Sequence, residues 1–278
     1  MAPDEIESLE IHLLLEAIRQ AYDYDFHAYA EASLKRRLRQ WLADAGYQSF
    51  SHAQGHVLRD RGVFDSVLRG VTVNVTEMFR DPAFFRAIRE HVVPYLRTYP
   101  FVKIWHAGCA TGEEAYSMAI LLHEAGMQRR FRIYATDINE DVLTRAQEGI
   151  FPMAKMQGFT RNYQKSGGQQ SFSDYYTARY EHALLSPSLK ESIVFSSHNL
   201  AVDGAFGEMH MILCRNVMIY FKPALKERCF QLFDNSIVPG GFLCLGQKER
   251  LDESKLGERY HEAVPRTRIY RKRYDALA

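Results

Sequence analysis

The residues best suited to chemistry in this 278-residue chain fall in one short run, Gly108-Cys-Ala-Thr-Gly-Glu-Glu114, between an apolar stretch and a helical one. Glycines at such a turn let the chain reverse sharply and let a ligand approach the backbone. A glycine turn alone is weak, since many sharp strand-to-helix turns carry one for backbone reasons. The two carboxylates say more. A pyrophosphate cradle avoids acid at a helix start, where free N–H groups and the dipole attract anions. Glu113 suits instead a cationic or hydroxyl-bearing ligand, such as the amino group or sulfonium of S-adenosylmethionine (SAM). The plain alternative is that acid there stabilises the helix dipole, and Glu114 is left open between the two readings.

Asp137 ends the next apolar run, Phe131–Thr136, where a carboxylate can accept hydrogen bonds from both hydroxyls of a ribose. As an isolated residue it could equally cap the following helix. Beside the glycine turn, nucleoside binding is the better reading. A nicotinamide cofactor fits poorly, because the chain has GxxxG followed by acid instead of GxGxxG. Asn199-Leu200 and Arg215-Asn216 close two further strands, and their alternative is loop capping. Tyr220 lies in an apolar run where tyrosine is usually core. His52 and His56 have metal-pair spacing but no intervening Glu, and Gly55 weakens their helix, so they read as surface residues and no metal is assigned. The basic cluster Lys35-Arg36-Arg37 with Arg39 is either a solvated face or a surface that captures carboxylates.

These residues need elements to position them. Ile6, Leu9, Leu13, Ala17 and Ala21 recur at helical spacing, and Leu34, Leu38 and Leu42 share a face of a second helix. Two shorter helices follow, around 51–61 and 63–70, and no strand is expected before about Val71. Asp81-Pro82 predicts a helix start with Asp as N-cap. Strands are expected at 101–106, 131–136, 193–197, 209–214, 242–246 and 267–272, with helices at 113–122, 139–148 and 223–235. Pro239-Gly240-Gly241 predicts a turn into the fifth strand. Alternating strands and helices imply a mainly parallel sheet covered on both faces, with ligands at its carboxyl ends. Gly108, Asp137, Asn199 and Asn216 all fall there. Residues from about 152 to 189 fit no clean unit of this kind and predict a small insertion.

Composition sets the class. The chain is 46% hydrophobic and 25% charged with a formal net charge of +1, ordinary for a globular protein and unsuited to general nucleic-acid binding. No apolar run reaches the roughly 18 residues of a membrane span. The acidic N-terminus is unlike a secretory signal. Cys109, Cys214, Cys229 and Cys244 form no CxxC pair and read as reduced residues of a cytoplasmic protein.

Together these segments resemble the CheR family, the chemotaxis receptor glutamate methyltransferases. The matching stretches are Asn74-Val-Thr-Glu-Met-Phe-Arg80, Gly108-Cys-Ala-Thr-Gly-Glu-Glu-Ala-Tyr-Ser117, Ala135-Thr-Asp-Ile138 and Cys214-Arg-Asn-Val-Met-Ile-Tyr-Phe221. The resemblance implies a Rossmann-like α/β methyltransferase sheet with an N-terminal all-helical domain. The division is 1–70 helical domain, 71–82 linker contributing to the cofactor site, and 83–278 SAM-binding domain with the insertion at about 152–189. It implies SAM as cofactor and S-adenosylhomocysteine as product. The partners that the resemblance implies are the cytoplasmic signalling domains of chemoreceptors and regulatory proteins, with no nucleic acid and with the membrane approached only through the receptor. Asn74, Thr76, Arg80, Glu113, Asp137, Asn199, Leu200, Arg215 and Asn216 are then cofactor-binding. Arg37, Arg80 and Tyr220 stand near the transferred methyl. Met78 and Ala115 depart mildly from the family, which commonly has Phe and Pro there. Residues 167–180 lack the glycine-rich loop with which many members bind a receptor-tail pentapeptide, so no tether is expected. A SAM enzyme with another substrate, or a non-catalytic SAM sensor, remains the alternative.

Overall fold

The computed structural model describes residues 2–72, 75–251, 254 and 256–274. Its contacts divide the chain into two compact units, Met1–Val73 with Tyr220–Lys226, and Asn74–Ile219 with Glu227–Ala278.

The first unit contains α1 (Pro3–Tyr22), α2 (Glu31–Asp44), α3 (Phe50–Val57) and α4 (Arg61–Val71). Ser49 caps α3 by accepting from the His52 N–H at 3.1 Å, and Asp60 caps α4 by accepting from Gly62 at 2.8 Å. The core takes Ile11, Leu14, Leu15 and Ile18 from α1, and Leu34, Leu38 and Trp41 from α2. The apolar stripe that marks α1 as a helix in the sequence is not the one the core uses. Ile6, Leu9 and Leu13 are 45–48% exposed, because α1 carries two apolar stripes and the bundle uses the other one. Tyr220–Lys226 joins this unit, a segment that the sequence division left in the second domain. Backbone pairing explains it: Ala30 N–H donates to the Tyr220 carbonyl (2.7 Å), Lys222 N–H donates to Ala28 (2.8 Å), and the Tyr29 and Phe221 rings meet at 5.0 Å.

The second unit is built on a seven-stranded sheet. Its strands are β1 (Val102–Ala107), β2 (Phe131–Asp137), β6 (Ile193–Ser197), β7 (Met209–Cys214), β8 (Ile237–Leu245), β9 (Tyr260–Val264) and β10 (Ile269–Lys272), in spatial order β6-β2-β1-β7-β8-β10-β9. The first five are mutually parallel, β10 runs antiparallel to β8, and β9 runs antiparallel to β10. Chain order reverses beside β1, the place where such sheets open a crevice. Pro239-Gly240-Gly241 is a bulge, not a turn. Met209 pairs with Ile237 and Met211 with Phe242, so the β8 residues between them swell out of the ladder.

The connecting helices are α5 (Pro82–Ala87), a π turn at Ile88–Val92, α6 (Val93–Leu96), α7 (Glu113–Glu124), α8 (Glu140–Glu148), α9 (Met153–Lys165), α10 (Pro187–Lys190) and α11 (Pro223–Ser236). The insertion forms its own three-stranded antiparallel sheet, β3 (Ile150–Pro152), β5 (His182–Leu185) and β4 (Tyr176–Arg179) in spatial order. All four cysteines are free and buried. Among the described residues no helix is long and apolar enough to cross a membrane.

Candidate active site

Local backbone chemistry shapes the floor of the site. After β1, the N–H groups of Gly108 and Cys109 both donate to the Thr136 carbonyl, at 2.8 and 2.9 Å. Gly108 has φ +79°, and a Cβ there would lie 2.4 Å from Val217 Cγ2. The turn after β1 therefore packs against the loop after β7 at a distance only glycine allows. Asp137 draws the same turn to the end of β2. Its carboxylate accepts from Ala110 N–H at 2.9 Å and Asn139 N–H at 3.0 Å. Asn139, not Asp137, caps α8, which removes the capping alternative for Asp137.

Glu113, the first residue of α7, is buried. Its carboxylate accepts from Thr111 Oγ1 at 2.6 Å, and the nearest ammonium, Lys155 Nζ, stands at 3.8 Å. Burial pushes the Glu113 carboxyl above the usual range, against the downward pull of Thr111 and Lys155. Burial raises Asp137 too, opposed by the backbone N–H groups that it accepts. A buried carboxylate with so few internal donors is suited to a cationic or hydroxyl-bearing ligand.

Glu114 has a different task. Arg215 Nη1 donates to its Oε2 at 2.6 Å, His106 Nδ1 lies 3.2 Å from its Oε1, and Arg215 Nη2 donates to Asp81 Oδ2 at 2.6 Å. The Arg215 guanidinium lies 3.9 Å over the Phe84 ring. Burial alone would raise Glu114, but Arg215 and His106 hold it down at about 2. The family resemblance implies a cofactor contact for Arg215. In the structure its side chain is 1% exposed and engaged with two acids. The same clasp takes Asp81 away from the capping role: Asp81 is left-handed (φ 58°) and its side chain makes no cap bond to α5.

Glu249 escaped sequence reasoning. It is buried, and its Oε2 accepts from the N–H groups of Asn216 (2.9 Å) and Gly246 (2.6 Å) while Oε1 accepts from Val217 (3.0 Å) and Ile219 (3.3 Å). It holds the loop after β7, including Asn216 at φ 62°. A lone Glu in a Lys/Arg-rich stretch carries no local signal of such burial.

Asn199 and Leu200 follow β6. The Asn199 side chain accepts from Ala201 N–H at 3.0 Å, and Leu200 is buried. Thr76 and Arg80 are half-buried, with Arg80 Nη1 at 3.4 Å from the Val75 carbonyl. Asn74 lies outside the described residues. Arg37 and Tyr220 belong to the first unit and touch one another: Arg37 Cζ lies 4.4 Å over the Tyr220 ring, and Arg37 Nη1 donates to the Val71 carbonyl at 2.6 Å. His52 and His56 pack against Tyr47, with ring centroids 5.6 and 5.3 Å away.

A sheet whose chain order reverses beside β1, with a glycine turn there and acids after β1 and at the end of β2, defines a Rossmann-like SAM-dependent methyltransferase domain. Glu113 and Asp137 fit a sulfonium nucleoside and fit a pyrophosphate poorly. The chain belongs to the CheR methyltransferase family: the family's SAM binding domain matches residues 74–265 and its all-alpha domain residues 9–72. It is 46% identical over 272 residues to a Pseudomonas putida protein bearing the name Cher3, covering 98% of this chain and 100% of that one. It is 31% identical to a chemotaxis protein methyltransferase of Salmonella typhimurium, over 78% of this chain and 73% of that one. A chemotaxis protein methyltransferase of Listeria innocua is 27% identical, over 84% and 87%. SAM is therefore the cofactor of this domain.

Proposed function

We propose that the protein methylates glutamate side chains of chemoreceptor signalling domains, forming glutamate methyl esters and S-adenosylhomocysteine. The observation that carries this reading is the buried Glu113 carboxylate in the family's SAM-binding domain, with Asp137 on the neighbouring strand end. Bound SAM supplies an electrophilic methyl group. Glu113 is suited to its amino group and Asp137 to its ribose hydroxyls. Asn199, Leu200 and Asn216, with Asn74, Thr76 and Arg80, complete the proposed cofactor set. The side chain of Arg215 acts on it indirectly.

A substrate glutamate with pKa about 4.3 is ionised at neutral pH and needs no general base. The chain's own contribution is alignment. Arg37, Arg80 and Tyr220 are proposed to orient the carboxylate, on the strength of the family resemblance. They should hold it loosely, because its charge diminishes towards the transition state.

We also propose that no receptor-tail tether is needed. The backbone N–H groups of the Gly167–Gln170 turn are already spent inside the domain. Gly168 donates to the Tyr163 carbonyl, Gln169 to Glu124 Oε1 (3.1 Å) and Gln170 to Tyr163 Oη (2.9 Å). Gly168 is also pressed on the Tyr163 ring, which a Cβ would approach to 2.2 Å. The four free, buried cysteines support a cytoplasmic location. Tritiated SAM offered to receptor signalling fragments tests the main reading. Base-labile label on receptor glutamates supports it, and cofactor binding without transfer to any receptor refutes it. Micromolar binding of a receptor-tail pentapeptide would refute the tether statement alone.

A further inference from the structure

The segment leading into α5 is strained on both sides of Arg80. Phe79 and Asp81 both have left-handed backbones, φ 52° and 58°, and neither is glycine. Such conformations cost free energy and persist only where surrounding contacts impose them. Phe79 is held by its N–H, which donates to Ser117 Oγ at 2.9 Å, and by ring contacts with Phe85 (5.1 Å) and Tyr163 (5.2 Å). Asp81 is held by Arg215, and Arg215 is itself fixed by Glu114 on α7 and by the Phe84 ring. This clasp ties one residue from each of three segments: the turn before α5, the start of α7 and the end of β7. Its central guanidinium is nearly inaccessible, whereas Arg80, between the two strained residues, is half-buried and, among the described residues, donates one long hydrogen bond, to the Val75 carbonyl. Two fixed residues thus present one lightly engaged arginine.

We propose that Asp81 and Arg215 are positioning residues that act through Arg80: their ion pair imposes the left-handed turn that sets the Arg80 guanidinium for the cofactor. The inference rests on the reading of Arg80 as a SAM-binding residue. It gives the Arg215 side chain a role different from direct cofactor contact.

The test is a double-mutant cycle read by calorimetric SAM affinity on the full chain, with urea unfolding measured alongside. Asp81→Asn is the suitable variant, because asparagine tolerates the left-handed region and the change removes only the charge. We expect SAM to bind about tenfold more weakly to Asp81→Asn, the size of one charge-assisted hydrogen bond. Arg80→Ala should weaken binding at least as much, and adding Asp81→Asn to it should change affinity less than about twofold, within the usual scatter of such cycles. Asp81→Glu, which restores the carboxylate, should recover most of the loss. Equal losses from Asp81→Asn in both backgrounds would overturn the proposal while leaving Arg80 in the site. Unchanged affinity in Asp81→Asn would do the same. Wild-type affinity in Arg80→Ala would overturn the reading of Arg80 and the proposal with it. If Asp81→Asn unfolds early, the same cycle with Arg215→Lys decides, since Lys keeps the charge but cannot bridge two acids as a guanidinium does.

Discussion

Replacing Gly108 by Ala should damage both stability and cofactor binding, and the structure gives the size. The added Cβ sits at φ +79°, a region that costs an L-residue about 1–2 kcal/mol. It also lies 2.4 Å from Val217 Cγ2, well inside contact distance, so Val217 or the turn must move. Overpacking of this kind costs roughly 1–3 kcal/mol. The two contributions together give about 2–5 kcal/mol. The clash portion is separable. Adding Val217→Ala removes the methyl in the way and leaves the backbone strain, so the double variant should recover about half the loss. Urea unfolding with a fixed m-value reads this directly, and SAM calorimetry should show the turn displaced. A Gly108→Ala variant within about 0.5 kcal/mol of wild type, the range of an uneventful surface change, would refute the close approach of the turn to the β7 loop. So would a double variant no more stable than the single.

Three other outcomes follow from the same geometry. Glu249→Gln replaces one carboxylate oxygen, which accepts two backbone N–H groups, by an amide donor. About 3 kcal/mol should be lost in urea unfolding, given roughly 1–3 kcal/mol for each unpaired buried donor. Because burial raises the Glu113 pKa, SAM affinity should fall as pH drops through that raised value, and Glu113→Gln should flatten the profile. For the cofactor-free fold the sign is opposite. The folded state binds the Glu113 proton more tightly than the unfolded chain does, so this group's contribution is present below the unfolded pKa and is lost as pH rises through the folded one. Glu114, held at about 2, contributes stability that is present above the unfolded carboxylate value and lost as pH falls towards 2, visible as acid unfolding that Arg215→Met should shift.

Much of this was legible in the residue order, for reasons that particular elements show. The inner parallel strands β1 and β7 are buried along nearly their whole length and read as apolar runs, and Asp137 and Arg215-Asn216 stand where β2 and β7 end. Glu113 and Asp137 could be named because a glycine turn between a strand and a helix restricts what stands beside it. Local pattern failed where a long-range partner decides. Asp81 has the position of an N-cap, but Arg215, 134 residues away, takes its carboxylate. Ile6, Leu9 and Leu13 have the period of a core stripe, as does the stripe that is buried, and only the other helices choose between them. Glu249 organises four N–H groups that lie near it only in the folded chain. Pro239-Gly240-Gly241 has turn chemistry, and pairing on β7 and β10 absorbs it as a bulge.

The proposed chemistry requires a sulfonium nucleoside held where β1 and β2 end. Isothermal titration of SAM into the wild-type protein and into Glu113→Gln tests that most directly. Saturable binding to the wild type and a loss of about tenfold or more in the variant is the expected result, one charge-assisted contact being worth roughly 1.5–3 kcal/mol. No heat with wild type, or equal affinity in the two proteins, would contradict it.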